Sequence, residues 1–452
     1  MTESSTRPIP FVAIVPTLLL LILLPGLTMA GGAPALAAEA PAAPTCVAIK
    51  AGRLIDGLGG APIKDPVVLI RGERIERAGS DLSAPAGCRI IDLGSATLLP
   101  GLIDLHTHLT GLADHYWEDQ LIKETPGAAA LYGAGNARKV LEAGFTTCRD
   151  VGPTWPYVDI DLKKAIAEGV VPGPRLAVAG AYISVTGGGG DATWFHPFIR
   201  IPSVDYLADS ADEVRKMARL HLKRGADFLK IIATGAVLSQ GAEPGAQAYT
   251  EEEIRTAVEV ARAGGTYVAA HAHGAAGIKA ALRAGARTIE HATFLDDEGV
   301  ALMKEKGACF VPNFFVDVEI TTEPERWGIP PESVRREKEI MAFQREGFAR
   351  ALRAGVSIGF GTDIFEVGKN GREFKLRVEA GETPMQAILS ATRVAAECMG
   401  WADRVGTVQS GRYADLIAVM NDPLVDITEM ERVLWVMKGG RVMSDLRAAA
   451  SR

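Results

Sequence analysis

No stretch of the chain concentrates lysine and arginine densely enough to track a phosphate backbone, and the net charge is mildly negative at −7. Nucleic acid is therefore not an expected partner. Cysteine is scarce: five in 452 residues cannot build a disulfide scaffold, although an oxidising compartment would permit a bridge between Cys46 and Cys88, both near the start. Cys148 and Cys309 lie in apolar strand-like runs and read as small buried hydrophobes. The apolar run at 11–24 falls short of the roughly 20 residues that a membrane span needs. A small-residue stretch containing Ala35-Leu36-Ala37 follows it, which is the pattern of a cleaved export signal over 1–37, with a membrane anchor as the alternative. The expectation is a periplasmic or secreted protein with no stable membrane association after cleavage.

The length suits a barrel of about 250 residues or more beside a smaller accessory domain. Short alternating runs at 47–54, 67–71, 74–78 and 89–93 are separated by Gly, Asp and Pro, and similar runs return at 416–420, 433–438 and 441–443. These two distant segments, 45–99 and 406–447, are expected to pair into one small β-sandwich. Between them, 100–405 alternates strand-like and helix-like runs, the pattern of a TIM-like (β/α)8 barrel of parallel strands. The eight strands are expected to end near His108, Arg149, Ala179, Ile232, His271, His291, Pro312 and Gly361. One helix is opened by the capping box of Thr250 and Glu253, and another is expected over 385–399.

His106 and His108 alternate along the first of these strands, so both face one side at its end, where two imidazoles can grip a metal. Taken alone they read equally well as hydrogen-bonded core histidines. Lys230 lies in the apolar run Phe228-Leu229-Lys230-Ile231-Ile232, where a bare ammonium is costly to bury. Reaction with carbon dioxide would make it an anionic carbamate able to bridge two metals; a salt-bridged or snorkelling lysine is the alternative. His271 and His291 end two further strands, and Asp363 follows Gly361-Thr362 at the last. Four histidines, one lysine and one aspartate thus converge from five strands, a coincidence that packing explains poorly.

Gly101-Leu102-Ile103-Asp104-Leu105-His106-Thr107-His108, Lys230, His271, His291 and Gly361-Thr362-Asp363 together resemble the amidohydrolase superfamily. So does the closing stretch Gly406-Thr407-Val408 and Gly411-Arg412-Tyr413-Ala414-Asp415-Leu416. The likeness is to the imidazolonepropionase-like branch that includes exported, prolidase-like Xaa-Pro dipeptidases, and it spans essentially the whole mature chain. It implies two divalent metal ions, zinc being the expected one. His106, His108 and Asp363 would hold the more buried metal, His271 and His291 the other, and carboxylated Lys230 would bridge them. His273 would polarise the substrate carbonyl; alternatively it is the ligand and His271 supports it. Asp363 would carry the proton from the attacking water to the leaving nitrogen. The loop Thr186-Gly187-Gly188-Gly189-Gly190-Asp191 resembles the branch but lacks the histidine common near Gly189, which puts a substrate contact from that loop in doubt. His196 is the alternative for that contact, ahead of His115 and His221.

The implied activity is hydrolysis of an amide bond in a small substrate such as a dipeptide or an N-acyl amino acid. A cyclic amide or lactone hydrolase and a catalytically silent binding protein are the alternatives. A homo-oligomer is also expected.

Overall fold

Residues 46–112, 116–196, 198–199, 201 and 207–447 are described by a computed structural model of the chain; the expected export segment at 1–37 and His115 lie outside them. Short strands come first: β1 (Cys46–Lys50), β2 (Arg53–Leu54), β3 (Ile63–Lys64), β4 (Val67–Arg71), β5 (Arg74–Gly79), β6 (Arg89–Asp92) and β7 (Thr97–Pro100). Then follow β8 (Leu102–Thr107), β9 (Phe145–Asp150), β10 (Arg175–Val178), β11 (Tyr182–Ile183), β12 (Leu229–Ile232), β13 (Val268–Ala272), β14 (Thr288–His291) and β15 (Cys309–Val311), with helices between most of them. The last three are β16 (Leu416–Val419), β17 (Trp435–Lys438) and β18 (Arg441–Asp445).

Both ends of the described chain enter one six-stranded sheet, ordered β18-β17-β16-β7-β2-β3, in which Leu416 of β16 faces Pro100 of β7. The four-stranded sheet β5-β4-β1-β6 packs against it through a shared core in which Ile49, Val68 and Ile70 meet Leu98, Leu416 and Trp435. Such an apolar layer between two sheets is what alternating strands provide, since every second side chain faces inward.

The middle of the chain is α/β. Its parallel strands form two hydrogen-bonded sheets, β10-β9-β8 and β11-β12-β13-β14-β15. Asp227 N donates to Val178 O at 2.8 Å and links the end of β10 to the approach of β12. Alternation on β12 sends Leu229 and Ile231 into the core shared with the helices, while Phe228 enters a separate cluster with Ile103, Leu105, Ala269 and Val311. Lys230 shares the Phe228 side and is thereby carried inward.

The segment expected to be the eighth strand is not one. A single bridge joins Phe310 to Ile358, and Gly359 N to Phe310 O, Leu105 N to Phe360 O and Asp363 N to His106 O, each 2.8 Å, carry the chain between β15 and β8. The approach is too close for regular side chains: a Cβ on Gly361 would stand 2.6 Å from Val311 Cγ1 and 2.9 Å from His106 Cβ. The helix expected over 385–399 is two, Pro384–Ser390 and Arg393–Cys398. It breaks where the carbonyls of Ser390 and Ala391 leave the helical ladder to accept from Phe360 N (3.0 Å) and Ile103 N (2.7 Å). The capping box at Thr250 and Glu253 is present.

Two disulfides join Cys46 to Cys88 and Cys309 to Cys398. The second corrects the reading of Cys309 as a plain buried hydrophobe: its partner is 89 residues away, and only the fold brings the two together. Cys148 is buried and free. Among the described residues no helix is long and apolar enough to cross a membrane.

Candidate active site

The C-terminal ends of the parallel strands open into a cavity of about 200 Å³, and His106, His108, Lys230, His271, His291 and Asp363 all line it. His273 lines it as well. All but His108 and Asp363 are at least nine-tenths buried. The rings of His271 and His291 lie 4.6 Å apart, those of His271 and His273 4.7 Å, and those of His106 and His291 4.9 Å. His108 Nε2 stands 3.3 Å and His106 Nε2 3.7 Å from Asp363 Oδ1.

Two sets of donor atoms, each within 4.8 Å of one another, could hold an ion: His271, His273 and His291, and His106, His291 and Asp363. His291 belongs to both, whereas the sequence-based division placed it with His271 alone. Burial lowers the affinity of these imidazoles for protons, helped by the Lys230 charge: His106 and His273 fall to about 4, and His271 and His291 well below the ordinary value. At neutral pH they are uncharged and offer lone pairs, as metal ligation requires. Burial also pulls Lys230 down to about 8, against the opposing charge of Glu290. For Asp363 burial works upward, but the neighbouring His106 and His108 prevail and hold it below the usual carboxylate value.

Backbone conformation aims two of these residues. His291 has φ +67° and Asp363 φ +55°, both left-handed, a conformation costly for side-chain-bearing residues and frequent at functional sites. At His291 it breaks the strand's alternation, so that Glu290 and His291, though adjacent, both serve the interior. Asp363 is fixed through its neighbour: Thr362 Oγ1 donates to Asp104 Oδ2 (2.6 Å), and Thr362 N and His106 N both donate to Asp104 Oδ1 (3.1 and 3.0 Å). That carboxylate ties the last segment to β8 directly beneath the site.

Beneath His106 runs a buried charge relay that the sequence reading missed. Glu290 Oε2 lies 3.0 Å from His106 Nδ1, Arg149 donates to Glu290 Oε1 at 2.7 Å, and Arg149 also donates to Leu105 O (2.7 Å) and Thr288 Oγ1 (2.9 Å). Burial favours the neutral Glu290 acid, yet the Arg149 charge and the His106 contact outweigh it and hold the group at about 2. An anionic Glu290 accepts the Nδ1 proton of His106 and leaves Nε2 free toward the cavity. Part of the signal was available: Arg149 and Glu290, like Lys230, are charged residues within segments expected to be parallel barrel strands. Arg149→Met is expected to lower unfolding free energy by about 3–5 kcal/mol, because it strands a buried carboxylate. Urea unfolding at pH 7 measures this, and an unchanged midpoint would remove Arg149 from the relay.

His108 Nδ1 meets Gly152 O at 2.6 Å, with the Tyr182 hydroxyl 3.2 Å away, so its Nε2 is turned to Asp363. His273 Nδ1 is 2.7 Å from Thr293 Oγ1. Gly189 and Gly190 line the cavity, so the glycine-rich loop does reach it, with Asp191 Oδ2 accepting from Gly187 N. His196 is exposed beside Phe198, and His221 is buried against Tyr157 and Tyr182 O; neither lines the cavity.

Strand-end histidines, an inward lysine and an aspartate surround one cavity, a donor set able to hold metal ions, and residues 97–443 match the amidohydrolase family. The chain belongs to that family, on its prolidase-like branch. Ochratoxinase of Aspergillus niger is 32% identical over 430 residues, 87% of this chain and 86% of that protein. Its crystal structure matches with a TM-score of 0.80 at 31% identity, covering 89% of this chain and 96% of that one. An Xaa-Pro dipeptidase solved with methionine in its active site gives a TM-score of 0.82 at 34% identity, covering 88% and 99% of the two chains. A prolidase complexed with N-methylphosphonate-L-proline also reaches 0.82, at 31% identity, covering 89% and 100%.

Proposed function

We propose that the protein is a binuclear metal-dependent hydrolase that cleaves the carbon–nitrogen amide bond of a small substrate, a dipeptide or an N-acyl amino acid. The observation that carries this reading is the convergence of His106, His108, Lys230, His271, His291 and Asp363 on one cavity. We read the parallel strands, with β10 and β11 sharing one stave, and the 357–363 segment as a (β/α)8 barrel whose eighth stave is irregular. Family membership and the dipeptidase and ochratoxinase relatives support amide chemistry.

The donor set fits two divalent cations, with zinc favoured by nitrogen and oxygen ligands. His106, His108 and Asp363 would hold one, His271 and His291 the other, and Lys230, as the carbamate, would lie between them. Its lowered proton affinity brings the free-base form of Lys230, the form that combines with carbon dioxide, within reach near neutral pH. When bound, such a pair lowers the pKa of water toward neutrality and polarises a carbonyl oxygen. Asp363, anionic and partly open to the cavity, takes the proton released as water attacks and passes it to the departing nitrogen. Glu290 and Arg149 keep His106 in the tautomer whose Nε2 lone pair faces inward.

The role of His273 turns on one proton. If the Thr293 hydroxyl donates to Nδ1, His273 presents Nε2–H to the cavity and can stabilise the oxyanion formed on attack. If Nδ1–H donates to Thr293, Nε2 is a lone pair and completes a ligand set with His271 and His291. We favour the first, since His271 and His291 already supply two donors. Export to the periplasm or the exterior is part of the same reading, and the two disulfides support it.

A library of dipeptides and N-acyl amino acids, incubated with zinc-loaded protein and read by free-amine release, tests the reading. Release from at least one class is expected; no release from any member, with two zinc ions bound, would contradict it.

A further inference from the structure

Away from the histidines, the same cavity holds two carboxyl groups that the proposed reaction does not use. Asp317, on the helix Phe315–Thr322, and Glu337, on the helix Pro331–Ala354, are 5% and 4% exposed. Their carboxyls hydrogen-bond to each other, and both line the cavity. Neither has an ion-pair partner among the described residues. Arg345 bears on Asp317 from over the Phe314 ring, 5.3 Å from its centroid, while Glu373 adds to the negative charge felt by Asp317 and Asp363 to that felt by Glu337. Burial, and for Asp317 the Glu337 charge, drives both groups upward, Glu337 to about 7, so the pair keeps a proton between its members near neutrality. Two desolvated acids side by side are costly unless something cationic meets them.

Gln344 gives independent evidence of what that is. It lies seven residues beyond Glu337, on the same helix face, lines the same cavity and is 4% exposed. Its Nε2 is committed to Asn313 O at 2.8 Å, but its Oε1 has no partner. Apart from the shared proton and the second Nε2 hydrogen of Gln344, the three side chains offer acceptors. Around them Val316, Ile320 and Ile340 are apolar and suit a short alkyl stem, while Trp327 stacks on Phe365 and already carries Arg326 over its ring. A primary ammonium has three donors, a positive charge and a small radius.

We propose that Asp317, Glu337 and Gln344 form a subsite for a primary ammonium group of the substrate, so that amides carrying a free amine are preferred over their neutral counterparts. The ammonium replaces the shared proton as counter-charge and satisfies Gln344 Oε1. The proposal rests on the amide-hydrolase reading above and names its substrate class. The amine could be the α-amine of a dipeptide or a basic side chain, which the test separates.

With zinc-loaded full-length protein, kcat/KM is compared within two matched pairs: glycyl-L-phenylalanine against N-acetyl-L-phenylalanine, and N-acetyl-L-lysine against N-acetyl-L-norleucine. The ammonium member of at least one pair is expected to win by tenfold or more, and that pair identifies the source. The Asp317→Asn/Glu337→Gln double variant should lower the ratio at least tenfold, and Gln344→Leu, which leaves both acids in place, by a smaller factor. Absence of preference in both pairs, or a preference that survives the variants, overturns the subsite. If none of the four is hydrolysed, calorimetry with n-butylammonium decides separately. Saturable binding weakened in Gln344→Leu upholds the subsite, and no binding, or binding matched by 1-butanol, rejects it.

Discussion

Asp363→Asn is expected to lower kcat on any accepted amide by roughly 10³-fold, within the range that removal of a positioned acid–base group produces. The substitution is a clean one for this position. Asp363 has φ +55°, a left-handed conformation that asparagine tolerates better than any other side-chain-bearing residue, so the backbone and its bond to His106 O are retained. The Asp104 and Thr362 contacts that set the loop do not involve the Asp363 side chain. What is removed is the charge and the capacity to hold a proton. Because Asp363 is also a proposed ligand, kcat must be measured beside metal content by plasma emission spectrometry. Near-normal turnover in variant protein that keeps its metal would remove the proton-carrying role.

The second large effect is at Lys230, where activity and stability should move in opposite directions. Lys230→Met keeps the length and apolar stem of the side chain but has no amine to carboxylate, so metal content should fall below two ions per chain and activity by roughly 10³-fold or more. The metal-free protein should meanwhile become more stable by about 1–3 kcal/mol at pH 7, because an ammonium no longer has to be held in an apolar strand. The sign follows from the lowered proton affinity. A base held at about 8 when folded and 10.5 when unfolded costs stability fully below pH 8, and the cost is relieved as pH rises through 10.5. Metal-free wild type should therefore gain stability relative to Lys230→Met between pH 8 and 10.5. Equal urea midpoints for the two proteins across that range would mean that Lys230 is not desolvated as described.

Much of this site is legible before folding because it obeys the simplest rule of a strand. Period-two spacing gives His106 with His108 and His271 with His273 a common face, and the energetic penalty of a lysine between leucine and isoleucine marks Lys230. Other features depend on contacts that no local rule encodes. Adjacent Glu290 and His291 should point to opposite faces, and only a left-handed turn at His291 lets both serve the site. Ser357 to Asp363 looks like a strand but is pinned too close to β8 and β15 to be pleated. Cys309 and Cys398 give no hint of each other. Asp317 and Glu337 sit on helices where acidic residues ordinarily face water, and only the stacking of those helices over the cavity buries them.

The most direct test is a zinc titration of chelator-treated protein in bicarbonate buffer, followed through hydrolysis of a dipeptide or N-acyl amino acid that the library identifies. Activity should be absent at the start, rise with added zinc and level off at two equivalents per chain. Hydrolysis that persists without metal, or a protein that takes up no zinc, would contradict a paired-cation centre built from these six side chains.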